Sequence, residues 1–126
     1  MKRLVSACLL ACLCLTSGPG IAQEATKPAT VGQGAVLRGL DKVNGKTADF
    51  ELLNGATAEM LGLLVTLGEC RYPADNPTGD AFAFLIIRDP ESGQVQFEGW
   101  MVASSPALNA LDHARYDIWV LRCMTS

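Results

Sequence analysis

The stretch from Ala81 to Ala103 constrains this chain most. Phe82, Phe84 and Ile86 alternate with Ala83, Leu85 and Ile87, so an extended segment here is apolar on both faces and reads as a central strand. Asp89-Pro90-Glu91-Ser92-Gly93 supplies turn residues directly after it, and a second run from Val95 to Ala103 completes a hairpin. Four more short runs, Ala35–Leu40, Thr47–Leu53, Leu61–Tyr72 and Asp117–Cys123, share this punctuation by Gly, Pro, Asn and Asp. Asn44-Gly45 falls between the first two and suits the positive-φ positions of a tight turn. The pattern predicts an all-β fold, a small antiparallel sandwich or barrel of about six strands.

One segment breaks the strand pattern. Between Ser104 and His113, Ser105 can cap a helical turn whose first position is Pro106, because proline lacks the amide hydrogen that would be wasted there. Leu108 and Leu111, three residues apart, would pack that turn on the sheet, with His113 near its negative pole. A single short helical turn is therefore expected before the last strand, and residues 124–126 read as a tail.

The beginning of the chain has a different character. Lys2 and Arg3 precede an apolar run from Leu4 to Leu15, which Thr16-Ser17-Gly18-Pro19-Gly20 ends. The run is well short of the roughly 20 residues that span a bilayer, and Gly20 and Ala22 suit a cleavage site before Gln23. Residues 1–22 thus read as a secretory leader cut after Ala22, and residues 23–34, without periodicity, as a flexible tether to one domain at 35–123. The competing reading is a lipoprotein, since Leu9-Leu10-Ala11-Cys12 loosely resembles a lipobox. With no further long apolar segment, the mature chain is expected to be soluble in the periplasm or secreted, with no transmembrane segment.

Cysteine usage agrees with that compartment. Cys8, Cys12 and Cys14 lie in the leader, leaving Cys70 and Cys123, and two thiols in an exported chain most often form one disulfide. A zinc site is the sharper alternative, but one histidine and two distant cysteines lack the close spacing of structural zinc motifs. At 49% hydrophobic and 18% charged the chain is too apolar for disorder, and a net charge of −3 disfavours binding to nucleic acid or anionic lipid.

Gly99-Trp100-Met101-Val102-Ala103-Ser104-Ser105-Pro106-Ala107-Leu108, Ala110-Leu111-Asp112-His113, Arg115-Tyr116-Asp117 and Trp119-Val120-Leu121-Arg122-Cys123 closely resemble the C-terminal signature of a bacterial family of unknown function. Val36-Leu37-Arg38-Gly39-Leu40-Asp41-Lys42 and Cys70-Arg71-Tyr72-Pro73 look like earlier blocks of the same family. Val102 departs from the pattern, where phenylalanine is expected. The resemblance implies an exported bacterial protein and brings no activity, ligand or catalytic residue with it.

Chemistry is therefore weighed residue by residue. Ser104 or Ser105, His113 and Asp112 or Asp117 are the residue types of an acyl-transfer triad, yet no Gly-x-Ser-x-Gly elbow exposes a serine. Trp100 and Trp119 could stack on a sugar or peptide if exposed, and are otherwise core residues. Asp75, Asn76 and Asp80 offer oxygen ligands without the twelve-residue calcium-loop pattern. No phosphate-cradling loop, nucleotide fingerprint or Cys-x-x-Cys motif is present, so no cofactor and no metal is expected. The leading expectation is a non-catalytic periplasmic binding or envelope-accessory module. Its candidate surface is Trp100, Ser104, His113, Arg115 and Tyr116, and its partner an envelope protein or cell-wall component. The alternative is a small periplasmic hydrolase using Ser104 or Ser105 with His113.

Overall fold

Alternating apolar and polar side chains become two antiparallel sheets in the computed structural model, which describes Gly18 and residues 28–125. The leader, its cleavage at Ala22 and the alternative lipidation at Cys12 lie outside the described residues. In chain order the strands are β1 (Ala29–Val31), β2 (Gly34–Asp41), β3 (Thr47–Leu53), β4 (Thr57–Met60), β5 (Leu63–Pro73), β6 (Phe82–Arg88), β7 (Val95–Val102) and β8 (Tyr116–Met124). The first sheet runs β1-β5-β6-β7, with β4 also paired to β5; the second runs β3-β2-β8. Strands β2 and β8 face β5 and β6 across the core.

Period-two alternation decides what is buried. Val65 and Leu67 of β5, Ala83, Leu85 and Ile87 of β6, and Phe97 and Met101 of β7 point inward from the first sheet. Ala35 and Leu37 of β2, Leu52 of β3, and Ile118 and Val120 of β8 meet them from the second. The sulfurs of Cys70 on β5 and Cys123 on β8 stand at bonding distance, 2.04 Å, and pin one sheet to the other.

Two hairpins share one device. Asp41-Lys42-Val43-Asn44-Gly45 joins β2 to β3, and Asp89-Pro90-Glu91-Ser92-Gly93 joins β6 to β7. In each, the glycine amide donates to the aspartate carbonyl, at 2.8 and 2.9 Å, and the glycine alone takes the positive φ. The aspartate carboxylates accept the turn amides, Val43 in the first and Glu91 and Ser92 in the second. Asn44 keeps a negative φ and uses its side-chain oxygen to accept from the Lys46 amide.

The structure departs from the sequence reading at four places. Strand β1 falls within the expected tether, because Ala29–Val31 pairs with Tyr72 and its neighbours at the edge of β5. Strand β4 is a short addition on the other half of β5. Met124, placed in the tail, ends β8 and accepts a hydrogen bond from the Gln33 amide. Finally, no helix forms among the described residues. The Leu108 amide donates to the Ser105 carbonyl at 3.0 Å, which makes a single β-turn with Pro106 at its second position. Ser105 therefore opens a turn rather than capping a helix, and only Leu111, 7% exposed, reaches the core, while Leu108 is 76% exposed.

Candidate functional site

The candidate residues resolve into three groups. The first surrounds Trp100. Ladder register places Val31, Arg71, Phe82 and Val102 in one row across the outer face of the first sheet, Phe84 and Trp100 in the next, and Ile86 and Glu98 in a third. Trp100 is 39% exposed, and its ring meets Phe84 edge-on with centroids 5.4 Å apart. The Arg71 guanidinium lies 5.4 Å from the Trp100 ring centre, within cation–π range. Arg71 is held in place by Glu69, at 2.6 Å. Ala29, Arg71, Phe82 and Trp100 line a shallow cavity of about 250 Å³ here.

A second group gathers at the β2–β3 turn. Arg115 donates to both carboxylate oxygens of Asp41 from Nε and Nη2, with a 3.0 Å ion pair. That bonding holds the Asp41 carboxyl below the usual carboxylate range, against the opposing effect of its burial. Arg115 also lies over the Tyr116 ring, 5.3 Å from its centre, and His113 stacks on Tyr116 at 5.3 Å. His113 Nδ1 accepts the backbone amides of Arg115 and Tyr116, each at 3.0 Å, and the His113 carbonyl accepts from Lys42 Nζ. Tyr116 packs against Gly62 in the tight β4–β5 turn, where Leu61 takes a φ of +56°. These contacts lock the approach to β8 onto two hairpins.

The third group is Ser104 with Asp80. The Ser104 hydroxyl donates to Asp80 Oδ2 at 2.6 Å, and Asp80 Oδ1 accepts the Ser104 and Ala81 amides at 2.9 Å. Ser104 and His113 thus have separate partners, and among the described residues no hydrogen bond joins His113 to either serine. Trp119 is half-buried against the core. Among the described residues no three His, Cys, Asp or Glu side chains gather to hold a metal ion, and no helix is long and apolar enough to cross a membrane.

Sequence reasoning missed Asp41, Arg71 and Asp80 as members of these groups. Arg71 was hidden because the irregularity between Leu67 and Cys70 reverses the parity of β5: counting by twos from Val65 and Leu67 would turn Arg71 inward, whereas it lies on the outer face beside Phe82. Asp41 and Asp80 had only local turn signals, since the side chains that bond them arrive later in the chain, Arg115 just before β8 and Ser104 just after β7.

An antiparallel sandwich pinned between its sheets by Cys70 and Cys123, with an aromatic outer face and polar clusters that brace its loops, defines a small disulfide-bonded all-β domain. The chain belongs to the bacterial family described as "uncharacterized protein conserved in bacteria" (DUF2155), which matches residues 35–123. No curated protein matches the chain, and no solved structure does.

Proposed function

We propose that this chain is an exported, non-catalytic binding module of the bacterial cell envelope, and that it binds through the outer face of the β1-β5-β6-β7 sheet around Trp100. The observation that carries the reading is the composition of that face. An antiparallel sheet with one side on the core ordinarily turns polar residues to water. Here Phe82, Phe84, Ile86 and Val102 are half-buried in a continuous strip, with Val31 and Trp100 at 51% and 39% exposure. Tryptophan and arginine side by side are the residue types that dominate binding energy at interfaces. Export is supported by the leader-like sequence at residues 1–22 and by the pairing of Cys70 with Cys123.

In-cell crosslinking of the tagged chain, followed by mass spectrometry, tests this reading. A partner recovered with wild type and with folded His113→Ala, but lost with folded Trp100→Ala, is the expected result. Loss in His113→Ala alone would move the surface to the Asp41 cluster. Recovery of nothing above an unrelated exported control would reject the binding module.

A further inference from the structure

The binding-module reading leaves open what is bound, and the edge of β7 answers it. The Ala103 amide donates to the Ala81 carbonyl at 2.9 Å, so Ala81 and Ala103 are a hydrogen-bonded pair. Alternation along an antiparallel ladder then turns the backbone groups of Met101, Gly99 and Phe97 toward β6, and those of Val102, Trp100 and Glu98 away from it. The outward carbonyls behave accordingly. That of Val102 accepts from the Ser105 amide at 3.1 Å, and that of Trp100 accepts from Asn109 Nδ2 at 3.0 Å. The Trp100 N–H and both backbone groups of Glu98 have no partner among the described residues. A side-chain amide from the following loop thus already sits where the backbone of another strand would pair, and the next three groups along the edge are open.

We infer that β7 receives an extended segment of a partner protein as an added strand, with a basic side chain opposite Glu98 and an apolar one against Trp100. Backbone pairing to a free edge is what such a segment offers, and alternate side chains supply the selectivity. Glu98 and Trp100 share the outer face, two residues apart, so the two recognised side chains are also separated by one residue. The charge follows from Glu98, which is exposed and has no ion pair among the described residues. The same charge disfavours a second copy of this chain. Antiparallel self-pairing centred on Glu98 would set two carboxylates opposite each other, and the neighbouring register needs the Trp100 carbonyl that Asn109 occupies.

This inference rests on the binding reading above, and the test separates the two. The probes are blocked synthetic peptides, about seven residues long, that alternate threonine and valine around a Lys-x-Leu core, with a Glu-x-Leu counterpart. Titrated into the full chain and followed by amide NMR shifts, the lysine peptide should saturate shifts at Glu98, Gly99 and Trp100, slow exchange of the Glu98 and Trp100 amides, and bind about fivefold tighter than the glutamate peptide. Glu98→Thr should erase that preference and keep binding. Glu98→Pro removes an edge N–H that the β6 ladder does not use, and should abolish binding in a protein whose circular dichroism is unchanged. Absence of saturable binding, or equal binding by Glu98→Pro and Glu98→Thr, would overturn the added strand. So would dimerisation of the chain alone through the same edge. A crosslinked partner that depends on Trp100 and ignores Glu98→Pro would keep the binding module while rejecting its occupant.

Discussion

Asp41 accepts from Arg115, from the Val43 amide and from Asn44, with its side chain 8% exposed. These bonds favour the charged form, so the folded-state carboxyl titrates below the unfolded one, and the stabilisation is complete above an unfolded value of about 4. It is lost as pH falls through the lower folded-state value. Asp49, bonded to Arg38, and Asp89, bonded to the Ser92 and Glu91 amides, are shifted in the same direction. Thermal stability should therefore be nearly independent of pH around neutrality and fall steeply below about pH 4, and Asp41→Asn should be less stable near neutrality with a shallower acid limb. Equal acid slopes in the two proteins would deny Asp41 this role. At this scale the sequence yields residue types but not their partners. Trp100, His113, Arg115 and Tyr116 stand out as chemistry-bearing, whereas Asp41 gains its role from an arginine seventy-four positions away.

The six longer strands are legible because turn residues bound their apolar runs, and two of the hairpins carry Asp and Gly at the same spacing. The shortest two are not. Ala29–Val31 and Thr57–Met60 hold too few apolar residues to form a stripe, and exist because β5 is long enough to pair with both along one edge. The β7–β8 connection shows the opposite error, in which a valid local cap signal at Ser105-Pro106 yields to tertiary anchors: Asp80 holding Ser104, Asn109 on the β7 edge, and Leu111 in the core. Two substitutions separate these readings. Leu111→Ala should destabilise the domain by about 2–3 kcal/mol in urea titration, and Leu108→Ala by a few tenths at most. Comparable losses at both positions would restore a helical turn packed through both leucines.

Across the whole molecule, hydrophobic contacts between the sheets are supplemented by one covalent tie between residues fifty-three positions apart. Closing a loop of that length removes unfolded-state freedom worth about 4 kcal/mol, a large share of the stability of a small domain. Replacing Cys70 and Cys123 together by alanine should lower the denaturation free energy by roughly that amount while leaving the β-sheet circular dichroism intact; a change below about 1 kcal/mol would assign the tie a negligible part. Beside this bridge the chain passes from one sheet to the other at Gly32. Its amide donates to the Cys70 carbonyl at 2.7 Å, its carbonyl accepts from Asn54, and a β-carbon there would stand 2.8 Å from the Met124 oxygen. The family match starts at Ala35, downstream of both this crossing and β1. A domain delimited by that match would lose the residues that lie along the bridge, leave Arg71–Pro73 as a bare edge, and remove the Ala29 wall of the Trp100 cavity. The stretch that defines kinship is thus shorter than the stretch that completes the outer face around Trp100, and inheritance of that face must be traced through residues that family boundaries leave out.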